Sequence, residues 1–148
     1  IKHDYFFLPE NADEFDFYKY DYVVDAIDTV KAKLALAEIC KKNNVNIISS
    51  MGAGNKLDPT RFEVTDISKT SFCPLAKVMR VELRKRGINH LKVVYSKEPA
   101  ITPFENADVE KEKAGTSRRS LPGSVAFVPS VVGLIIAGEV IKDLLEIN

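Results

Sequence analysis

The feature that most constrains the fold is a succession of strand, helix and strand near the start of the sequence. Residues 22–27 are mostly β-branched or aromatic, a run typical of a strand buried on both faces of a parallel sheet. Residues 29–43 have the character of a helix, with Asp28 or Thr29 as its N-cap, and residues 45–50 form a second strand-like run. This order predicts a βαβ unit and therefore an α/β fold.

The rest of the chain continues the alternation of strands and helices. Further strands are predicted over residues 61–67, 91–95 and 124–128, and the apolar residues 5–8 are also strand-like. Further helices are predicted from Pro74 to a C-cap at Gly87, and over residues 131–145 with Pro129 near the start. A chain of 148 residues fits one domain with one core, residues 1–148.

Residues 97–122 interrupt this pattern. They contain prolines and many charged side chains, and they have little apolar periodicity. A segment of this length without predicted secondary structure is more often functional or disordered than structural. We therefore predict a linker or mobile loop here.

Composition favours a soluble protein of the cytoplasm. The chain is 45% hydrophobic and 28% charged, which is the balance of a globular domain. Its most apolar stretch, residues 125–137, is shorter than the roughly 20 residues that span a bilayer, so no membrane association is expected. Only two cysteines are present, Cys40 and Cys73, and their separation indicates a reducing compartment rather than a disulfide framework.

Net charge does not indicate a nucleic-acid partner. The 21 basic residues balance the 21 acidic ones, although a local basic patch can exist on a neutral protein. Arg80, Arg84, Lys85 and Arg86 lie on one predicted helix. They form either a solvated face or a nucleic-acid contact, and the sequence leaves both open.

Asp28 and Lys33 are candidates for an anion site. Asp28 follows the first predicted strand and lies beside the N-terminus of the next helix, where open α/β sheets bind ligands. A carboxylate there can hold the Mg²⁺ that accompanies nucleotide phosphates, and Lys33 is close enough along the helix to reach a phosphate oxygen. In the alternative, Asp28 only caps the helix and Lys33 is a surface charge.

The segment Gly52-Ala53-Gly54 follows the second strand without matching a phosphate-binding motif. A P-loop needs four residues between its glycines, and a dinucleotide fingerprint needs a third glycine where Leu57 stands. Two interpretations remain, a tight turn and a contact with substrate.

Cys73 precedes a helix that starts with proline, a position that can lower the pKa of a thiol. The only histidines, His3 and His90, are distant in sequence, and no CxxC pair is present for zinc. These features favour a packed or capping cysteine over a nucleophile.

Several segments together resemble the ThiF/MoeB/HesA (ubiquitin-activating-like) adenylating superfamily. Residues 21–28 followed by Lys33 are similar to its strand-end motif, in which asparagine usually replaces Thr29 and arginine replaces Lys33. The sequence Val24-Asp25-Ala26-Ile27-Asp28 narrows the resemblance to the tRNA threonylcarbamoyladenosine dehydratases. Further segments agree with that branch: residues 52–60, 66–70, 73–77, 93–98 and 122–137.

The resemblance implies a Rossmann-like ThiF/MoeB-type domain of which this chain is the carboxy-terminal part. The superfamily's first, glycine-rich βαβ unit is not found in the sequence, so we expect the 148 residues alone to be inactive. The implied reaction uses ATP to activate the threonyl carboxylate of N6-threonylcarbamoyladenosine at position 37 of tRNA. An attack from within the modification then closes a ring with net loss of water.

The resemblance also implies roles for individual residues. Asp28 and Lys33 would be catalytic, and Asp28 would hold Mg²⁺. The ATP-binding residues would be Ala26, Ile27, Asp28 and Lys33. The substrate side of the pocket would be walled by Gly52, Ala53, Gly54 and Asn55.

The expected partners are tRNA and a second copy of the chain in a homodimer, with sulfur-transfer proteins as a further expectation. Two alternative functions remain open. The chain could belong to an enzyme that adenylates the carboxyl terminus of a small ubiquitin-like sulfur carrier. It could instead be a non-catalytic dimerisation fragment.

Overall fold

A computed structural model describes residues 1–102 and 123–147. Within these residues the chain forms a four-stranded sheet with helices against both of its faces. The strands are β1 (Tyr22–Asp25), β2 (Asn46–Ser50), β3 (Phe62–Asp66) and β4 (Lys92–Ser96). The helices are α1 (Val30–Asn43), α2 (Pro74–Lys85) and α3 (Phe127–Leu144).

The sheet has the strand order β1-β2-β4-β3 and is mixed. Strands β1 and β2 are parallel, with Tyr22 opposite Asn46 and Asp25 opposite Ser49, and β2 is parallel to β4. Strand β3 pairs with β4 in the antiparallel direction. The predicted βαβ unit and the α/β class are therefore confirmed, and β1, β2 and β4 end at the same edge of the sheet.

Alternate side chains of β4 show how the two faces are covered. Val93 and Tyr95 pack on one face in a cluster that includes residues of α1 and α2. Val94 points to the other face and packs with Val132 and Ile136 of α3. Because both faces are covered at β4, its residues 93–95 are apolar without alternation, as expected for a central strand between helices. The edge strand β1 differs from the prediction, since Val24 is exposed.

The ends of α1 and α2 follow from local backbone geometry. Asn44 follows α1 with a left-handed φ of 54°, and its N–H bonds the carbonyls of the last turn. Gly87 follows α2 with a φ of +70°, a conformation that costs glycine little. The helix ends at Lys85 with Arg86 as its C-cap, so the C-cap predicted at Gly87 lies one residue too late.

The strand predicted over residues 124–128 is wrong. Phe127 and Val128 belong to α3, which begins before the predicted start at residue 131. Val128 and Val132 are four residues apart and are buried on one side of this helix against the sheet. This packing stabilises a helix although the segment contains β-branched residues. Pro129 lies in the first turn, where its missing N–H costs no hydrogen bond.

Residues 5–8 also form no strand. They precede a 3₁₀ helix, Pro9–Glu14, and the rings of Tyr5 and Phe7 pack against Phe15 instead of extending the sheet. The Phe7 ring lies 5.5 Å from Phe15 and 6.0 Å from Phe17, measured between ring centroids. Phe17 in turn packs against α1.

The predicted linker over residues 97–122 falls mostly outside the described residues. Its first residues are described, and the Lys97 N–H donates to the Arg61 carbonyl at 3.1 Å. Residues 103–122 lie outside the described part of the chain. No helix in the two described ranges combines the length and apolarity that crossing a membrane requires.

Asp143 ties α3 to the strands at the edge of the sheet opposite the strand ends. Its carboxylate accepts a hydrogen bond from the Tyr22 hydroxyl at 2.6 Å and from Lys92 Nζ at 2.8 Å. Lys92 also pairs with Glu139, one turn earlier on the helix, at 2.9 Å. The hydrogen bonds from Lys92 and Tyr22 lower the pKa of the Asp143 carboxyl.

We predict that Asp143→Ala lowers the melting temperature by about 3 °C, equivalent to about 1 kcal/mol for a half-buried pair. Because the folded-state pKa of Asp143 is lowered, its stabilisation is present above pH of about 4 and is lost as the pH falls through that lowered value. The variant's defect should therefore shrink in acid. As a control, Asp16→Ala removes an exposed pair with Lys19 and should leave melting unchanged. Equal effects of the two changes would contradict the anchoring role.

Candidate functional site

A cavity of about 410 Å³ lies at the carboxyl ends of β1 and β2. Its wall includes residues 26–28, Lys33 and residues 52–54, so the structure brings together nearly all of the residues predicted for the site. Asn55 is outside this wall. The wall also includes residues that the sequence analysis did not assign to the site: Leu75 of α2, Gly123, Ser124, and Pro129, Val132, Gly133 and Ile136 of α3.

Asp28 is exposed, and its carboxylate has no partner among the described residues. Thr29, not Asp28, occupies the N-cap position of α1, and its side chain makes no capping hydrogen bond. The Asp28 carboxylate accepts no hydrogen bond from any residue in ranges 1–102 and 123–147. The capping alternative therefore does not explain Asp28, whose charge is open to the cavity.

Lys33 is buried, with 1% of its surface exposed, which excludes the alternative of a solvated surface charge. Its Nζ donates to both Asp25 carboxylate oxygens at 3.1 Å and to the Ser50 carbonyl at 2.7 Å. Burial lowers the pKa of the Lys33 ammonium, and the Asp25 charge opposes that shift. Lys33 therefore reaches the cavity wall with its donors already engaged by the protein.

Asp25 is a second buried charge that sequence reasoning missed. It ends β1 with 1% of its surface exposed. Besides Lys33, it accepts hydrogen bonds from the Ser49 hydroxyl and, at 3.2 Å, from the Ile27 N–H. The signal in the sequence was an aspartate within an apolar strand, a position that is rarely charged unless the charge is paired.

Asn55 connects the glycine segment to two distant parts of the chain. It has a left-handed φ of 57°. Its N–H donates to the Gly123 carbonyl at 2.8 Å, and its side-chain oxygen accepts the Gly123 N–H. Its carbonyl accepts the Ile101 N–H at 2.8 Å. These contacts place Gly123 in the cavity wall, and contact of Asn55 itself with substrate stays a prediction.

Glu98 holds the segment that follows Asn55. Its carboxylate accepts the N–H groups of Leu57 at 3.0 Å and Asp58 at 3.1 Å. The buried Lys56 ammonium donates to the Glu98 carbonyl. The loop after β2 is therefore fixed by buried polar contacts at its far end, which limits how far Gly52 and Gly54 can move.

The two cysteines have structural surroundings. Cys73 is buried, and its Sγ accepts the Ala76 N–H at 3.5 Å as the N-cap of α2. This confirms the capping interpretation. Cys40 is also buried, and burial raises its pKa to about 11, so its thiol is not activated.

The basic helix segment is largely engaged with protein groups. Arg80 donates to the Thr70 carbonyl at 3.0 Å, and Lys85 and Arg86 pair with Glu82 on their own helix. Three of the four basic side chains in this segment therefore have a partner within the protein. Nucleic-acid binding by this segment stays a prediction.

The fit of Mg²⁺ can be judged from the donor groups. No group of three or more His, Cys, Asp or Glu side chains that could hold a metal occurs in the described ranges. Asp28 therefore offers a single carboxylate at the cavity. Mg²⁺ in nucleotide sites is commonly held by one or two carboxylates together with phosphates and water, and Asp28 fits that mode.

Comparisons with known proteins agree with one another. A family model described as "ThiF family" matches residues 2–148. The tRNA threonylcarbamoyladenosine dehydratase of Bacillus subtilis is 46% identical over 145 residues, which are 95% of this chain and 57% of that protein. The enzyme of the same name from Haemophilus influenzae is 32% identical over 97% of this chain and 58% of its own length.

Solved structures of the Escherichia coli tRNA N6-threonylcarbamoyladenosine dehydratase resemble this fold. The complex with AMP superimposes with a TM-score of 0.79, and the complex with ATP with a TM-score of 0.78. Both are 28% identical to the chain and cover 97% of it, and the chain covers 56% of each. The chain thus spans a little over half the length of these relatives.

We predict that Lys33→Met destabilises the protein by about 3–5 kcal/mol, because it leaves the buried Asp25 carboxylate without its countercharge. The control is Lys31→Met, which removes an exposed lysine from the first turn of the same helix and should leave the melting temperature unchanged. Thermal melts of both variants measure the difference. Equal melting temperatures would show that Lys33 is not paired in solution as it is in the structure.

Proposed function

The chain belongs to the ThiF family, and from that premise we propose that the protein catalyses the ATP-dependent dehydration of N6-threonylcarbamoyladenosine at position 37 of tRNA. The relatives named for this activity support the proposal, as does the binding of ATP and AMP by the Escherichia coli enzyme. The observation that carries it is the open Asp28 carboxylate in a cavity at the strand ends, beside the N-terminus of α1.

The proposed chemistry has two stages. The threonyl carboxylate attacks the α-phosphate of ATP, which releases pyrophosphate and leaves the carboxyl carbon attached to a good leaving group. An atom of the same modification then attacks that carbon, which closes the ring and releases AMP. The oxygen lost from the carboxylate leaves with AMP, so the net change in the nucleoside is loss of water.

Asp28 and the N-terminus of α1 form the phosphate side of the proposed site. Asp28 would hold Mg²⁺, which when bound offsets the negative charge on the phosphates. The first N–H groups of α1 have no partners within the helix, and the positive end of the helix dipole lies at this end, which follows Asp28 in the chain. Ala26 and Ile27 would contact the nucleotide through the turn that they form.

Lys33 would act on this site as a fixed positive charge. Its Nζ already donates to Asp25 and Ser50, so its influence on charge developing at the α-phosphate is electrostatic and requires no movement. On the substrate side, Gly52, Ala53 and Gly54 line the wall with small side chains that allow close approach of a ligand to the backbone.

Adenylation of a small sulfur-carrier protein is the runner-up. It would use the same phosphate side, and the two reactions differ in which carboxylate triggers release of pyrophosphate. Threonylcarbamoylated tRNA should trigger release, and a carrier-protein carboxyl terminus should not. The homodimer and the sulfur-transfer partners stay predictions, as does a dimerisation fragment without catalysis.

We predict that Asp28→Asn in the full-length protein lowers pyrophosphate release by about 100-fold or more, because a charged oxygen ligand is lost. Folding should be unaffected, since Thr29 and not Asp28 is the N-cap of α1 and no described residue pairs with the Asp28 carboxylate. The assay is pyrophosphate release and ring closure with threonylcarbamoylated tRNA, alongside a thermal melt. Asp21→Asn, an exposed change just before β1, is the matched control and should be silent. Near-normal turnover of Asp28→Asn would reject the assignment.

We predict that Cys73→Ala in the full-length protein leaves dehydration largely intact. The thiol serves as the cap of α2 and pairs with no base in the part of the chain that the structure describes, so the change removes only the weak hydrogen bond that the Ala76 N–H donates to it. Turnover and melting are measured together, with Cys73→Ser as a variant that keeps an N-cap acceptor. A loss of about a thousandfold in both variants, as expected when a covalent step is removed, would overturn this interpretation.

A further inference from the structure

Asp25 is the most deeply buried acidic group in the described part of the chain, and nothing in the proposed chemistry uses it directly. A buried carboxylate is costly unless it is paired and hydrogen-bonded. Asp25 has partners from both flanking elements, Lys33 of α1 and Ser49 of β2. It also accepts the N–H of Ile27, within the turn that leaves β1.

We propose that Asp25 is a positioning residue. Lys33 and Ser49 hold its carboxylate, and the carboxylate fixes the turn that places Asp28 at the cavity. The inference rests on the proposed function, because it explains how the Asp28 carboxylate is aimed. The hydrogen bond from Ile27 N–H to Asp25 Oδ1 spans 3.2 Å and closes the backbone over residues 25–27. Asp28 is the next residue, so its direction depends on that closure.

The same network also sets the distance between the two strand ends. The β1–β2 ladder stops where Asp25 pairs with Ser49, and the Ser50 carbonyl lies one residue beyond it. Lys33 Nζ bonds that carbonyl at 2.7 Å while holding Asp25. One side chain thus connects the turn that bears Asp28 with the strand that leads to Gly52.

Stability alone does not account for this arrangement. Apolar residues of similar size replace many buried ion pairs with no loss of stability, because desolvation offsets most of the attraction. An apolar pair here would fill the same space. It would leave the Ile27 N–H without an acceptor, and the turn would lose its fixed direction. Direction is what a metal-holding carboxylate needs from its supporting residues.

The test compares two double variants of the full-length protein, Asp25→Asn/Lys33→Met and Asp25→Leu/Lys33→Met. Both remove the two buried charges together, so neither leaves an unpaired one. Only the first keeps a side-chain oxygen that can accept the Ile27 N–H. The readout is the factor by which Mg²⁺ increases the affinity for ATP, measured by calorimetry with and without a chelator.

We expect the leucine double variant to lose about tenfold or more of this Mg²⁺ effect, the scale seen when a supporting hydrogen bond near a metal is removed. The asparagine double variant should retain most of it. Equal Mg²⁺ effects in the two variants would overturn the inference.

A milder pair of variants serves where a double variant does not fold. Ser49→Ala removes one hydrogen bond to Asp25, and Ser96→Ala removes an equally buried hydroxyl at the end of β4 that accepts the Glu98 N–H instead. Only Ser49→Ala should reduce the Mg²⁺ effect, by a few-fold, and equal effects would reject the inference. Mg-ATP binding without dehydration would reject the dehydratase proposal alone, whereas no binding by the unaltered protein would overturn both.

Discussion

Parallel pairing of β1 with β2 is the constraint on which the candidate site depends. A parallel pair cannot be joined by a tight turn, so the chain crosses over through α1 and both strands end at the same edge of the sheet. The residues that follow each strand therefore meet in one cavity, residues 26–28 from β1 and residues 52–54 from β2. Because helices cover both faces of the sheet, this edge is where the backbone is open to a ligand.

Two aspartates close together in this turn have opposite surroundings, and the difference gives them different uses. Asp25 is enclosed, so its charge must be matched by Lys33 and by hydrogen bonds. Asp28 is exposed at the cavity and remains without partners among the described residues. A carboxylate that the fold does not use can exchange its water for a cation without breaking any internal contact. Asp25, in contrast, has all its contacts within the protein, so its carboxylate can fix the position of the backbone.

The sequence predicted those parts of the fold that local periodicity determines. The βαβ unit and α2 were predicted correctly because the apolar run of β1 and the apolar stripe of α2 leave distinct patterns. The predicted burial of β1 on both faces is wrong, because β1 is an edge strand and Val24 is 48% exposed. The strand prediction for residues 124–128 was wrong because a short apolar run has the same composition in a buried strand and in a buried helix. The helix is identified only by the packing of Val128 against one face of the sheet. The Asp25–Lys33 ion pair could not be predicted from periodicity either, since it depends on how closely α1 approaches β1.

Lys33 shows why a charge in the wall can matter without touching a ligand. Burial lowers the pKa of its ammonium, and the nearby Asp25 and Asp28 carboxylates oppose that shift. Removing the charge of Asp25 would therefore lower the pKa of Lys33 further. Because its hydrogen bonds to Asp25 and Ser50 already fix its direction, the ammonium needs no reorganisation when charge develops nearby. The Asp25 carboxylate proposed to direct Asp28 is thus also the group that opposes the lowering of the Lys33 pKa, so the geometry and the electrostatics of this edge of the sheet depend on the same few atoms.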